Sequence, residues 1–185
     1  MRNRFYLAGM IALPALLAAA ALPLSFQSGS RVWVSGTSTV RSWRCESTQV
    51  TGSAQAAGTE LTQVAQSSGE ITIPLSALDC RNGTMNGHMR TALKAAQNPT
   101  LRFRATSVAV TSQGAVRMTG PLTIAGQSRE VTITGTAARE NGRLRVTGSK
   151  QINMTDFGVT PPRLMAGTMR VNPAVTIGFD VVLGQ

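Results

Sequence analysis

From about residue 27 onward, apolar and polar positions alternate with a period of two between glycine-marked turns, the pattern of antiparallel strands with one buried and one wet face. Leu101, Phe103 and Ala105 alternate with Arg102, Arg104 and Thr106, and Val131 and Ile133 alternate with Thr132 and Thr134. Leu144 and Val146 share one face against Arg143, Arg145 and Thr147, and Val175, Ile177, Phe179, Val181 and Leu183 share a face opposite Thr176, Gly178 and Asp180. Eight or nine such runs are present, at 31–38, 46–53, 61–66, 69–74, 100–111, 114–124, 129–139, 142–154 and 173–183. Their spacing predicts an all-β chain, a meander closed into a barrel, with a sandwich as the alternative.

One segment has a different period. Met85, Met89, Ala92, Leu93 and Ala96 recur every three or four residues, which predicts a short helix from about Gly87 to Ala96 with Asn86 as N-cap and Pro99 beyond its end. A shorter turn is expected at Ser76-Ala77-Leu78-Asp79, where Ser and an acid three residues later resemble a capping box. The consecutive prolines in Gly158–Pro162 require an irregular loop. No internal repeat or linker divides the chain, so a single domain is expected.

The N-terminus differs from the rest. Arg2 and Arg4 precede an uncharged, Ala- and Leu-rich run from Phe5 to Leu24, the layout of a secretory signal occupying about residues 1–24 and leaving a domain at 28–185. The A-x-A options around Ala18–Ala21 place cleavage between about Ala20 and Phe26. An uncleaved anchor is the alternative, because about twenty apolar residues can span a bilayer. Pro14 and the lack of a basic flank after the run argue against it. The expected location is therefore the periplasm or the exterior.

Export changes the meaning of composition. Over 185 residues the formal charge is +10, and removing Arg2 and Arg4 leaves 16 basic against 8 acidic residues and +8. Nucleic acid is not an expected partner, because the chain is exported and has no basic stripe interleaved with aromatics. The charge comes almost wholly from arginines on the polar faces of strands. Their planar forks suit phosphate oxygens, so an anionic membrane surface is an expected partner beside plain solvation. Cys45 and Cys80 are the only thiols, and in an oxidising compartment they are expected to pair. A redox or metal-binding pair is the alternative, but the spacing is not C-x-x-C and no acidic cluster flanks either thiol.

Candidate chemistry is sparse. His88 is the sole imidazole, at the expected helix entry, and no nucleophile elbow or phosphate-binding glycine loop stands between strand and helix. One His and two Cys cannot build a zinc centre of four thiolates, or of two thiolates and two imidazoles, and no metal and no catalytic residue is assigned. Axial ligation of haem by His88 with Met85 or Met89 is the remaining cofactor option.

Several stretches in order carry a family resemblance. Ser38-Thr39-Val40-Arg41-Ser42-Trp43-Arg44-Cys45 resembles the opening strand motif of the YceI-like proteins, exported lipid-binding proteins with a lipocalin-like barrel. Ile73-Pro74-Leu75, Leu78 through Asn82 and Met85 through Met89 resemble the strand, turn and helix entry that follow. Ala92–Ala95 with Pro99–Phe103, the hairpin Gly120–Gly126, Gly148-Ser149-Lys150, Met154–Val159 with Pro161-Pro162, and Val175–Asp180 complete the series. Ser42 and Asn98 stand where family members often have an acid and an aromatic, differences that bear on the barrel rim.

The resemblance implies an eight-stranded antiparallel lipocalin-like β-barrel with one short helix, holding an isoprenoid or similar lipid. With aromatic residues at only 4% of the chain, few rings are available to fill such an interior. The expected function is sequestration or transport of a polyisoprenoid, of quinone or prenyl phosphate type, with no required cofactor. Alternatives are a stress-related or electron-transfer module, or an enzyme acting on a bound lipid. The tail is expected against Met89, Leu93, Leu101, Phe103, Met118, Leu144, Phe157, Ile177 and Phe179, and a polar head at Arg41, Arg81, His88 and Lys150. The oligomeric state is left open, a dimer included.

Overall fold

A computed structural model describes residues 22–56 and 68–185. The strands are β1 (Leu22–Phe26), β2 (Arg31–Ser38), β3 (Ser42–Ser47), β4 (Thr51–Ala56), β5 (Ser68–Pro74), β6 (Thr100–Ala105), β7 (Ser107–Val110), β8 (Ala115–Ile124), β9 (Gln127–Glu140), β10 (Arg143–Asn153), β11 (Arg163–Leu164) and β12 (Met169–Gly184). A single α-helix among the described residues, α1 (Gly83–Ala92), lies between β5 and β6. All pairings are antiparallel, and the order β1-β4-β5-β6-β8-β9-β10-β12 closes on itself through pairing of β12 with β1, giving an eight-stranded barrel.

Closure is divided between two heights. One edge of β12 pairs with β10. Its other edge pairs with β2 along Val171–Asp180 and with β1 at Leu183 and Gly184. At the β2 end the wall continues into β3, and the free side of β3 reaches the segment after β5 through a two-bond bridge between Glu46 and Asp79. The Cys45–Cys80 disulfide fastens that junction and closes a loop of 35 residues. On the chain-entropy model such a crosslink contributes about 3–4 kcal/mol.

The alternation read from the sequence sets which side chains point inward. Ile152, Val146 and Leu144 on β10 lie opposite Val175, Val181 and Leu183 on β12, and all six are buried. Three glycines sit directly across from aromatic rings: Gly36 from Trp43, Gly178 from Trp33 and Gly148 from Phe179. A Cβ at these glycines would stand 2.6, 2.4 and 2.7 Å from the facing ring, so each ring occupies the space left by a missing side chain. Trp33 is on the outer face, where the Arg44 guanidinium stacks 4.3 Å from the ring centroid.

The outer face also carries a buried carboxylate. Asp180 is only 5% exposed and accepts from Arg145 Nε at 2.7 Å, Arg145 Nη2 at 2.8 Å and Arg31 Nη2 at 3.0 Å. The bonds from Arg145, followed by the one from Arg31, hold its carboxyl below the usual carboxylate range despite the opposing effect of burial.

Several boundaries differ from the sequence reading. The run at 46–53 is two strands, β3 and β4, and 100–111 is β6 and β7. The run expected at 61–66 lies outside the described residues, as does most of the segment read as a signal. Helix α1 begins one turn earlier than expected, because Asn82 rather than Asn86 caps it, its Oδ1 accepting from Met85 N at 2.9 Å. Asn86 is inside the helix and bonds backward instead, accepting from Cys80 N and donating to Asp79, both at 2.8 Å. His88 is consequently mid-helix and not at its entry. The expected capping box is a 3-10 turn at Leu75–Ala77 without a side-chain cap.

Two outcomes follow for stability. Asp180→Asn should lower the urea-unfolding free energy at neutral pH by about 2 kcal/mol, a value reduced because both arginines are partly solvated. Since the folded-state pKa of Asp180 is depressed, its contribution is complete above the unfolded value near 3.8 and is lost as pH falls through the folded one. The difference between wild type and variant should therefore shrink in acid melts. Reduction of Cys45–Cys80 should cost about 3–4 kcal/mol in the same assay.

Candidate functional site

The inward faces enclose two cavities at different heights. The larger, about 520 Å³, occupies the upper half, toward the disulfide and α1, and opens at the rim. The smaller, about 80 Å³, lies toward β1 and β4. The change falls between Ile177 and Phe179 on β12 and between Leu101 and Phe103 on β6, the first of each pair lining the upper cavity and the second the lower.

The upper cavity is built from three walls. Val32, Val34, Trp43 and Cys45 come from the hairpin β2–β3, where alternation turns these positions inward. Ile73, Leu101, Ile124, Ile152, Val175 and Ile177 supply the barrel floor. Met85, His88, Met89, Ala92 and Leu93 come from α1 and its C-cap, all within one helical stripe. Beyond the barrel proper, Met154, Val159, Pro162, Leu164 and Met169 from the 154–169 segment complete the opening. Methionine thus contributes from the helix, from the turn after β10 and from β12, giving an unbranched lining that can adapt to a flexible occupant.

The rim is fastened at both ends of α1. At its start stand the disulfide, the Asn82 cap and the two Asn86 bonds; near its end Arg90 Nη2 donates to Ser76 O at 3.3 Å. The Asn86 amide, with the Arg81 backbone N–H, keeps the Asp79 carboxyl below its ordinary range. No residue of α1 is fully buried, so the helix lies over the opening and does not fill it. Opposite, the Ser38–Arg41 turn is bonded to the start of β12, with Thr39 N donating to Arg170 O at 3.0 Å and Thr39 Oγ1 to Thr168 O at 3.2 Å. One polar atom in the lining residues stands apart. The Nε1 of Trp43 is buried and has no hydrogen-bond partner among the described residues. No group of three or more His, Cys, Asp or Glu that could hold a metal ion occurs among the described residues.

The expected tail contacts divide between the two cavities. Met89, Leu93, Leu101 and Ile177 line the upper one, whereas Phe103, Met118, Leu144 and Phe179 line the lower. Phe157 lines neither; it is buried in the core from the 3-10 turn Met154–Phe157. Of the expected head contacts, Arg41 and His88 are at the opening. Arg81 is exposed at a left-handed position, φ 56°, with its N–H bonded to Asp79, and is outside the lining. Lys150 stands opposite Ile177 in register, an inward position, yet it does not line the cavity. The sequence reading missed Val34, Trp43, Leu164 and Met169. Alternation along β2 and β3 marks the first two, while the aperiodic 158–169 stretch carries no signal for the others.

Comparison with solved structures gives the same architecture. BcnA from Burkholderia cenocepacia superposes with a TM-score of 0.71 at 21% identity, covering 83% of this chain and 95% of that one. A polyisoprenoid binding domain from Saccharophagus degradans, implicated in plant cell wall breakdown, gives 0.64 at 14% identity, covering 86% and 97%. The Campylobacter jejuni YceI protein, as a mutant with a monobromobimane guest, gives 0.59 at 17% identity, covering 74% and 82%. No curated protein sequence matches. The YceI-like domain family matches residues 27–183, and with the closed barrel and its rim helix this places the chain in the YceI-like family.

Proposed function

We propose that this chain is an exported carrier or store for a polyisoprenoid, of quinone or prenyl phosphate type, held non-covalently in the upper cavity. The observation that carries the reading is the cavity itself: about 520 Å³ of almost wholly apolar space, methionine-rich and open at one rim, in a YceI-like barrel. That volume lies in the range of small-molecule sites. The Saccharophagus degradans relative, described as polyisoprenoid-binding, adds support from the same fold.

The energetics favour a tail-driven ligand. Each methylene removed from water contributes about 0.8 kcal/mol, and immobilising a ligand costs about 4–15 kcal/mol, so on the order of 5–20 buried carbons are needed before binding is net favourable. A head group alone does not meet that requirement, whereas a few prenyl units do. Arg41 and His88 at the opening supply donors for a head left near solvent. His88 is exposed there, without the buried partner that acid/base chemistry on a bound lipid would need, so binding is better supported than catalysis.

Purified protein should release an isoprenoid on organic extraction, seen by native and extract mass spectrometry, and delipidated protein should take up quinone or prenyl phosphate in titration. A ligand-free preparation that binds neither would end the carrier reading. Met89→Trp and Ile177→Trp place bulk in the cavity and should weaken binding at least about tenfold, with unfolding free energy changed by less than about 1.5 kcal/mol because the space is open.

Export is proposed on the charged and apolar pattern of the first residues, together with the disulfide. Because Leu22–Leu24 pair with Ala54–Ala56, cleavage that preserves the barrel falls before Leu22. N-terminal sequencing of the exported protein should therefore begin at or before Leu22; a start after Leu24 would remove most of β1.

A further inference from the structure

The tip of the cavity rim sets an exposed apolar residue beside arginines. Val40 is the one large apolar residue that is widely exposed, at 67%. Its exposure is imposed by a tight turn: Ser38 N donates to Arg41 O at 2.9 Å, and Arg41 N donates to Ser38 Oγ at 3.1 Å. Beside it, β11 and β12 form a short flap in which Leu164 pairs with Met169 and Arg163 with Arg170. The apolar pair lines the cavity, which leaves the two arginines on the flap's other face. Like charges directly opposite on paired strands are unfavourable. Arg163 and Arg170 nevertheless face each other, and neither they nor Arg41 makes an ion pair with a carboxylate among the described residues.

The flap and the turn form one unit, bonded through Thr39 to Arg170 in both directions, Thr39 N to Arg170 O and Arg170 N to Thr39 Oγ1. The opposite end of the barrel is different in kind. Its β9–β10 turn carries Arg139 and Arg143, but Glu140 is among them and accepts from Arg145 at 3.2 Å.

We infer that the rim formed by Val40, Arg41, Arg163 and Arg170 docks on an anionic bilayer surface, with the valine entering the interface and the guanidiniums held by lipid phosphates. A phosphate between Arg163 and Arg170 removes the repulsion that the hairpin register creates, and planar guanidiniums match phosphate oxygens. The orientation brings the cavity opening against the membrane. The inference extends the carrier reading, since a prenyl lipid dissolved in a bilayer would reach the cavity through this opening, but docking is measured without cargo.

The test is flotation of delipidated protein with vesicles of phosphatidylcholine alone and of phosphatidylcholine containing phosphatidylglycerol, at physiological salt. Wild type should float with the anionic vesicles only. The Arg41→Gln, Arg163→Gln, Arg170→Gln triple variant should partition about a hundredfold less, at about fivefold per arginine. Val40→Ser alone should weaken partitioning about threefold to tenfold. An equal charge change at exposed sites away from the rim, Arg117→Gln, Arg139→Gln, Arg143→Gln, should change it by less than about threefold, because such charges are screened over about 8 Å. Melting curves of all variants establish that the barrel is intact, and quinone titration of an Arg163→Gln, Arg170→Gln double variant, which keeps Arg41 at the opening and should still partition about twenty-five-fold less, establishes that the cavity is intact. Equal loss in both triple variants, no flotation of wild type with anionic vesicles, or displacement of bound vesicles by millimolar inorganic phosphate would each overturn docking while leaving the cargo reading untouched.

Discussion

The barrel depends on three glycines that make room for rings. Gly36, Gly178 and Gly148 each face an aromatic directly across a strand pair, and in each case a β-carbon would collide with the ring. Two of these pairs, Gly36 with Trp43 and Gly148 with Phe179, are internal, and they set the cavities' shapes. The Trp43 ring stands over Gly36 of β2, and the Phe179 ring over Gly148 of β10. The chain has few rings, and it lays these two along the staves where they do not fill the middle. Space for an occupant follows from that arrangement together with the shortage of aromatics.

The same economy explains why the two ends differ. Toward β1 and β4 the inward residues meet across the barrel and leave only about 80 Å³. Toward the rim the wall is carried by β2, β3 and the Glu46–Asp79 bridge, and the covering helix contributes a stripe of Met, Ala and Leu without a fully buried residue. The disulfide sits where the wall has the fewest backbone bonds, at the free side of β3. It makes up there for the ladder that an additional strand would have provided.

Much of this was legible in the residues. A period of two identifies the inward face of β6, β10 and β12 correctly, because burial on one side of a sheet fixes parity. Parity gives no height along the axis, however. Phe103 and Phe179 point inward as expected yet line a different cavity from Leu101 and Ile177. Lys150 shows the same limit: its parity is inward, but it stands outside the lining. Asn82 and Asn86 both satisfy the local rules for a cap, and the Asn86 side chain, accepting from Cys80 N and donating to Asp79, decides between them and sets the helix start one turn earlier. Leu164 and Met169 reach the opening through a flap whose sequence has no period, so only the fold brings them there.

Pairing of β1 with β12 joins the first described strand to the last. Closure of the ring therefore spans nearly the whole described chain, and it cannot be completed until the C-terminal residues are available. Such long-range pairing is slow to form and leaves open sheet edges until it does. A chain of this topology stays unclosed until β12 has been made. The cavity is then a late product of folding, present only once both ends of the chain have met.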